Sequence, residues 1–424
     1  ALLARIDALE PTLHAWATVD REGALRVARE RAAEAARGAL RGPLHGVPLG
    51  VKDIFFTAGL RTSAASPLYA EFVPTYDATV VARLRAAGAI VLGKTVTTQF
   101  AVSDPPPTRN PWNVARTPGG SSSGSGAAVA ARMVPAALGS QTAGSVLRPA
   151  AYNGVVGLKP TYGRVSRYGV FPVAWTLDTM GVLARSVEDC ALLLAAMAGH
   201  DPHDPTTSRR PVPDYARAIA GADAPPRIGV VGGFFHQRAD AETREHTAQV
   251  VERLHRAGAP VEEVELPESF SLVHPAHAVV MAAEAAAYHQ QQFQRHPETY
   301  GPRLAATLQR GMLYTAVEYL QAQRHRRRFR RELDALFDGV DLLLTPSTPT
   351  PAPADLSTTG DPAFQTPWTF AGVPAVTLPC GVGRSGLPLG VQLAAPAFQE
   401  ERLLAGARWC ERVLGWEARP PLPT

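Results

Sequence analysis

Two Gly/Ser-rich segments hold the hydroxyl groups of this 424-residue chain that are best suited to chemistry. Residues 119–126 (GGSSSGSG) run directly into an Ala-rich stretch that is predicted to be helical. A Gly/Ser loop that opens a helix presents backbone N–H groups and hydroxyls to an anion or to a developing oxyanion. The loop also contains a GxSxG match centred on Ser122, which is typical of a hydrolase nucleophile elbow, although a flexible linker has the same composition.

The second segment, residues 139–149 (GSQTAGSVLRP), again combines small residues with a serine. Consecutive N–H groups from Thr142 to Ser145 could form a nest for an oxyanion, with the Ser145 hydroxyl as a nucleophile beside it. This pattern is compatible with acyl transfer, which also requires a base to activate the serine.

Lysine is rare in this chain, since only three of its 42 basic residues are Lys: Lys52, Lys94 and Lys159. Arg serves wherever a permanent cation is enough, whereas a buried Lys can lose its proton near neutral pH. Lys52 ends the apolar run 47–51, where it could either pair with the adjacent Asp53 or act as a desolvated base. Efficient base catalysis would require burial to lower its pKa by roughly 3 units from the usual value.

Composition is typical of a globular protein with a large buried core, since 46% of the residues are hydrophobic and 19% are charged. No apolar run is long enough for a transmembrane helix, and the charged N-terminal segment is unlike a signal peptide. The three cysteines are far apart and form no CxxC motif, which argues against a disulfide framework or a zinc ribbon. We therefore expect a cytoplasmic protein that binds neither membranes nor nucleic acid.

Hydrophobic periodicity predicts helices over residues 1–40, a buried strand after the turn at 43–46, a helix at 77–88 and a strand at 89–92. This β-α-β alternation indicates a partly parallel sheet, and apolar strands spread along the whole chain favour one continuous α/β core. The other predicted elements are loops at 103–126, 139–145 and 200–226 (linker-like), helices at 127–132, 186–199, 241–257 and 281–337, and strands at 228–231, 341–345 and 373–393.

These segments, in this order, resemble the amidase signature family. The matching stretches are GPLHGVPLGVKD (42–53), GAIVLGKT (88–95), TRNPWN (108–113), TPGGSSSGSGAAVAA (117–131), TAGSVLRPAAYNGVVGLKPTYGRVSRYGV (142–170) and AGVPAVTLPCG (371–381). The resemblance implies one α/β/α domain over residues 1–424, with a central mixed β-sheet flanked by helices. Its parts would be N-terminal helices at 1–40, the catalytic signature core at 42–190, the linker-like loop at 200–226, and the rest of the sheet with the substrate-pocket helices at 227–424.

The resemblance also implies a Ser-cisSer-Lys triad. Ser145 would attack an amide carbonyl, and its proton would pass through Ser121, which follows a cis peptide bond, to neutral Lys52. Water would then hydrolyse the acyl-enzyme, without a metal or an organic cofactor. Lys94 and Lys159 also fall at lysine positions of the family, where structural roles are expected. The other implied site residues are the oxyanion-binding N–H groups of Thr142, Ala143 and Gly144 and the supporting loop residues Gly119, Gly120 and Ser122.

Several functions agree with this resemblance. The first is a stand-alone amidase that acts on a small carboxylic amide and could form a homodimer. The second is the A subunit of an aminoacyl-tRNA amidotransferase, whose glutamine-binding Arg is replaced here by a small residue near Ala306 or Thr307. The third, a catalytically silent binding protein, is disfavoured because all three triad residues are present. Gln141 and Ala143 depart from the Asp and Gly that many members have, which leaves the subgroup open.

Three other motifs have structural interpretations. His200 and His203 lie in a Pro-rich loop with no further metal-ligand motif. The Arg-rich run 324–331 continues an apolar helical stripe and is interpreted as the solvated face of a long helix. The segment 229–233 (GVVGG) lacks the full dinucleotide-binding fingerprint.

Replacing each candidate nucleophile separates the two serine motifs. We expect Ser145→Ala to abolish amide hydrolysis and Ser122→Ala to retain substantial activity, because only Ser145 lies beside the predicted oxyanion nest. Ammonia release by each purified variant, with circular dichroism to check folding, measures the difference. The reverse result would assign the chemistry to the GxSxG elbow.

Overall fold

The computed structural model describes residues 1–422, so the last two residues of the predicted domain lie outside the described part. The helices are α1 (Leu2–Leu13), α2 (Arg21–Ala36), α3 (Thr79–Ala86), α4 (Ser123–Ala130), α5 (Leu147–Asn153), α6 (Val187–Met197), α7 (Tyr215–Ala220), α8 (Phe234–Arg238), α9 (Ala241–Arg256), α10 (Val273–Arg295), α11 (Pro302–Leu313), α12 (Ala316–Ala335), α13 (Thr366–Ala371) and α14 (Glu400–Leu414). The strands are β1 (Trp16–Val19), β2 (Pro48–Lys52), β3 (Ile90–Thr95), β4 (Ala136–Gln141), β5 (Val156–Lys159), β6 (Thr179–Ala184), β7 (Ile228–Val231), β8 (Val261–Val264), β9 (Leu342–Pro346), β10 (Ala375–Val382) and β11 (Pro388–Ala394).

These eleven strands form one mixed sheet in the order β1-β3-β2-β4-β6-β5-β10-β11-β9-β7-β8. Strand β2 runs parallel to both of its neighbours, β3 and β4, whereas β4 and β6 are antiparallel. Alternate residues of β4 enter different hydrophobic cores, since Ala136 and Leu138 belong to one cluster and Ala137 to another. Both faces of the centre of the sheet are therefore covered, as expected for parallel strands. The α/β fold with a mixed sheet flanked by helices is confirmed.

The prediction of helix throughout residues 1–40 was wrong at one point, because β1 lies between α1 and α2. Helix α1 ends where His14 adopts a left-handed conformation, with φ 48°. The Glu10 carboxylate then accepts hydrogen bonds from the N–H groups of Ala15 and Trp16, at 3.0 and 2.9 Å. This side-chain cap turns the chain into an edge strand that pairs antiparallel with β3.

The Gly/Ser loop is also shorter than predicted, because α4 begins at Ser123 instead of residue 127. The helix lies close to neighbouring backbone, since a Cβ built on Gly124 would stand 2.1 Å from the Ala15 carbonyl oxygen. The Ser125 hydroxyl donates to the Leu138 carbonyl, at 2.8 Å. Small residues in this segment therefore allow a helix to approach the sheet closely.

The segment 200–226 is not loop throughout, because it contains α7, whose Tyr215 is buried. Asp201 accepts hydrogen bonds from the hydroxyls of Thr79 and Ser166, each at 2.5 Å. Asp204 accepts from the backbone N–H of Arg167, at 2.8 Å. These two carboxylates therefore attach the segment to the core.

Other helix boundaries also differ from the predicted ones. Asp77, the first residue of the helix predicted at 77–88, lies outside the helix and accepts from the N–H of Ala58, and α3 begins at Thr79. Helix α10 begins at Val273, eight residues before the predicted start at 281. Among residues 1–422, none of the helices has the combined length and apolarity that a bilayer crossing would need.

A buried ion pair joins α14 to the loop after β5. The Glu400 carboxylate lies 3.3 Å from Nε of Arg164, and both side chains are at most 2% exposed. We expect Glu400→Gln to lower the free energy of unfolding by about 3 kcal/mol, because the Arg164 guanidinium would stay buried without its counter-charge. Urea denaturation would measure the loss. The matched control, Glu401→Gln at the exposed neighbouring position, should change stability by less than about 0.5 kcal/mol, and equal effects would contradict the prediction.

Candidate active site

Lys52 lies at the carboxyl end of β2 and is completely buried. Its Nζ is 2.8 Å from the hydroxyl oxygens of both Ser121 and Ser140. The alternative in which Lys52 pairs with Asp53 was wrong, because the Asp53 carboxylate lies 3.9 Å from Nζ of Lys94. The Lys52 amine therefore has hydroxyl partners and makes no ion pair within residues 1–422.

Burial lowers the pKa of Lys52 well below its usual value, and only the charge of Asp178 acts in the opposite direction. Burial thus favours the neutral amine here more than it would be favoured in an exposed lysine. A hydrogen bond between a neutral amine and a hydroxyl can run in either direction, so the Ser121 hydroxyl can give its proton to Nζ.

The Ser121 hydroxyl is positioned by the Gly/Ser loop. The peptide bond between Gly120 and Ser121 is cis, as the family pattern predicts, and Gly119 has a φ of +77°. The Gly120 carbonyl accepts a 2.7 Å hydrogen bond from Nη2 of Arg148, on α5. The Ser123 hydroxyl donates to the Gly119 carbonyl at 2.6 Å, so both residues before Ser121 are held through their carbonyls.

Ser145 lies between β4 and α5 and is partly exposed. Its carbonyl accepts from the N–H of Ser122 at 3.3 Å. Its hydroxyl makes no hydrogen bond with any of residues 1–422, so the predicted relay has a hydrogen bond between Ser121 and Lys52 but none between Ser145 and Ser121. In the same range, the N–H groups of Thr142, Ala143 and Gly144 also donate no hydrogen bond. The loop thus places three unpaired N–H donors next to a partly exposed serine, which is compatible with the predicted oxyanion hole.

Gln141 organises the start of this loop. Its Oε1 accepts hydrogen bonds from the N–H groups of Val146 and Leu147, at 2.9 and 3.0 Å. Its Nε2 donates to the hydroxyl of Thr369 on α13, at 2.9 Å, and that hydroxyl donates to the Ala143 carbonyl at 2.7 Å. A neutral amide therefore both accepts from the first turn of α5 and donates to α13, which a carboxylate could not do.

Thr142 is fixed by two further residues. Its hydroxyl donates to Asp178 at 2.5 Å, and its carbonyl accepts from Nε2 of His277 at 2.8 Å. Burial lowers the pKa of His277 to about 4, so the ring is neutral and carries its proton on Nε2. Gly144 packs against Gln365, whose Oε1 would stand 2.6 Å from a Cβ added at residue 144. The loop is thus held by Asp178, His277 and Gln365 in addition to Thr369.

The remaining predicted residues have structural environments. Ser122 is completely buried, and its hydroxyl bonds to the backbone of Ser140. The Lys94 ammonium reaches the Phe55 carbonyl and the hydroxyls of Thr57 and Thr62, whereas Lys159 donates to two carbonyls; burial lowers the pKa of both lysines to about 7. All three lysines are buried, but only Lys52 contacts serine hydroxyls of the site.

Sequence reasoning missed four residues that shape the site: Ser140, Asp178, His277 and Thr369. Only Ser140 lies in a segment that the motifs single out. Asp178 and Thr369 lie outside the motifs, and His277 lies before the predicted start of its helix. A buried polar residue needs a partner, but the sequence does not show which one.

Removing the Thr369 hydroxyl tests the link between α13 and the loop. We expect Thr369→Val to lower the free energy of unfolding by about 1–3 kcal/mol, because Nε2 of Gln141 and the Ala143 carbonyl would both be left buried and unpaired. Urea denaturation measures the effect, with Thr369→Ser, which keeps the hydroxyl, as the control. A serine variant as unstable as the valine variant would contradict this account.

Comparisons with known proteins agree with this geometry. A family model described as Amidase matches residues 1–404. The A subunit of the glutamyl-tRNA(Gln) amidotransferase of Azotobacter vinelandii is 42% identical over 99% of this chain and 94% of that protein. The protein of the same name from a Roseiflexus species is 40% identical over 99% of this chain and 93% of its own length.

Two solved structures share the whole fold. One, a vestigial protein complex that reveals the origins of an s-triazine catabolic enzyme, is 35% identical with a TM-score of 0.92, over 99% of this chain and 95% of that one. The peptide amidase of Stenotrophomonas maltophilia is 33% identical with a TM-score of 0.87, over 100% of this chain and 94% of that one. From the matched residues, the identities and the shared fold, we conclude that the chain belongs to the amidase signature family, whose enzymes act on amide C–N bonds.

Proposed function

We propose that the chain hydrolyses the C–N bond of a small carboxylic amide through an acyl-enzyme on Ser145. The observation that carries this proposal is the buried Lys52 amine, 2.8 Å from the Ser121 hydroxyl and without a carboxylate partner within residues 1–422. An amine that burial keeps neutral can accept a proton near neutral pH.

In the first half of the reaction, Oγ of Ser145 attacks the amide carbonyl carbon. Its proton moves to the Ser121 hydroxyl, and the Ser121 proton moves to Nζ of Lys52. The N–H groups of Thr142, Ala143 and Gly144 bind the oxyanion. When the C–N bond breaks, the relay returns a proton to the departing nitrogen, which leaves an ester on Ser145 and a neutral Lys52.

In the second half, water attacks this ester along the same relay and releases the carboxylic acid. The Ser145 hydroxyl lacks a hydrogen-bond partner among residues 1–422, so it is free to rotate toward Ser121 when substrate is bound. Catalytic hydrogen bonds commonly tighten on substrate binding.

A second candidate function is that of a glutamine-hydrolysing amidotransferase A subunit. The names of the sequence relatives favour it over a stand-alone amidase, since proteins named for that role in glutamyl-tRNA(Gln) amidotransferases are 40–42% identical over nearly the whole chain. The residues near the expected glutamine-binding Arg point the other way. Ala306 carries no charge, and the Thr307 hydroxyl is bonded to a carbonyl of its own helix, at 2.9 Å.

Ammonia release by the purified chain distinguishes these two functions. A stand-alone amidase should hydrolyse simple aliphatic and aromatic primary amides at least as well as glutamine. A glutaminase component of an amidotransferase should prefer glutamine and hydrolyse it slowly without its partner proteins. If Ser145→Ala leaves activity on every substrate unchanged, the acyl-enzyme proposal fails for both.

Lys52→Arg tests the base directly. Arg keeps a positive charge of similar reach but stays protonated throughout the usable pH range. We expect kcat/KM to fall by at least about 10³-fold. A variant that kept more than about a tenth of the activity would exclude proton abstraction by Lys52.

The pH profile of the wild type provides an independent measurement. Because the neutral amine is the base, kcat/KM should rise with pH as Lys52 loses its proton and level off above its pKa. Burial lowers that pKa, so the rise should be complete well before the pH at which an exposed lysine titrates. Lys52→Ala should lose the rise and regain activity with added alkylamine, whereas Lys52→Arg should not be rescued.

A further inference from the structure

The exposed face of α12 carries a row of five side chains at alternating spacings of three and four residues: Val317, Leu320, Arg324, Arg327 and Arg331. This spacing places them along one side of the helix. The opposite side, with Ala322, Phe329 and Leu333, is buried. We propose that this row, here named the α12 row, docks a helix of a partner protein that presents aliphatic residues followed by carboxylates.

The first half of the α12 row is apolar. Val317 and Leu320 are 62% and 60% exposed, and Leu313 and Met312, at the end of the preceding helix, are 80% and 42% exposed. Four large aliphatic side chains within nine residues form an exposed patch that a soluble protein normally covers. Burying them against a partner would provide the apolar part of an interface.

The second half is cationic and unpaired. Within residues 1–422, Arg324, Arg327 and Arg331 form no ion pair, although all three are exposed. The carboxylates of Glu268 and Glu332 pair instead with Arg328, at 3.6 and 2.6 Å. The three free guanidinium groups therefore complement carboxylates on another molecule.

The same charges disfavour a second copy of this chain as the occupant. In an antiparallel pair of α12 helices, Arg324 would lie at the two-fold axis opposite its own copy, and the other arginines would face aliphatic residues. In a parallel pair, each arginine would face itself. Since the α12 row contains no carboxylate, neither arrangement neutralises it.

Nucleic acid also fits less well than an acidic helix. Arginines alone could contact phosphates, but Val317 and Leu320 continue the row, and aliphatic side chains gain nothing from a phosphate backbone. Surfaces that bind single strands interleave basic with aromatic residues, and the α12 row has no aromatic residue. Aliphatic residues with charged residues on one exposed helix face are typical of a surface that packs against another amphipathic helix.

Labelled 21-residue helical peptides test the proposal. Two peptides carry two Leu and three Glu at the spacing of the α12 row, one in each chain direction, and two control peptides carry Lys in place of Glu. We expect fluorescence anisotropy with the full chain to detect a Glu peptide and not the Lys peptides. Binding should weaken at least tenfold between low and high salt.

Variants of the full chain then assign the binding to α12. Arg324→Glu/Arg327→Glu/Arg331→Glu and, separately, Val317→Ser/Leu320→Ser should each weaken Glu-peptide binding at least tenfold. As the matched control, charge reversal of three exposed arginines elsewhere should have no effect: Arg29, Arg37 and Arg209. Amide hydrolysis should be unchanged in all of these variants, which also shows that they fold.

Four results would overturn the proposal. The first is equal binding of the Glu and Lys peptides, and the second is no binding of either Glu peptide. The third is tight binding of an oligonucleotide that depends on the arginines but not on Val317 and Leu320, which would indicate a nucleic-acid surface. The fourth is a dimer in sedimentation that the arginine reversals dissociate, which would assign the face to a second copy.

Discussion

Keeping the Lys52 amine away from water and from any carboxylate requires the surrounding structure to be complete. The amine lies at the end of a strand that has parallel neighbours on both sides, and its two hydroxyl partners come from different segments, the Gly/Ser loop and β4. Displacing either neighbouring strand would admit water to the Lys52 amine and favour its charged form. The neighbouring Asp53 would also stabilise the charged form of Lys52 if it turned inward, but Lys94 and Ser63 hold that carboxylate elsewhere.

The second requirement is a loop whose N–H groups stay unpaired without collapsing. Residues 142–144 leave their donors free because other atoms of the loop are bound from outside, by Asp178, His277 and Thr369. Gln141 contributes to this arrangement as a neutral residue. Its amide accepts hydrogen bonds from two N–H groups and donates one to a threonine on α13.

The sequence allowed us to predict the site residues that lie in motifs, but not those that other segments of the chain contribute. Lys52 and Ser121 could be paired in advance because the resemblance to the amidase signature family implies the triad, and the two lie in hydrogen-bonding contact. Asp178, His277 and Thr369 could not be found, because they lie outside the motifs and a polar residue in the sequence does not indicate its partner. Strand β1 was missed because its four residues follow a strong helical pattern, and only the Glu10 cap interrupts it. The start of α4 was missed because Gly and Ser have low helix propensity. In this helix their small size allows close packing against the neighbouring backbone.

The burial of all three lysines has a chemical consequence beyond the active site. With Lys52, Lys94 and Lys159 each 0% exposed, the described surface of the folded protein carries its positive charge on guanidinium groups and displays no lysine amine. Amine-acylating reagents and lysine-specific cross-linkers therefore have no lysine target on the folded chain. Each lysine becomes reactive only when the segment around it opens, so the rate of acylation at each site reports the local opening of its own part of the sheet.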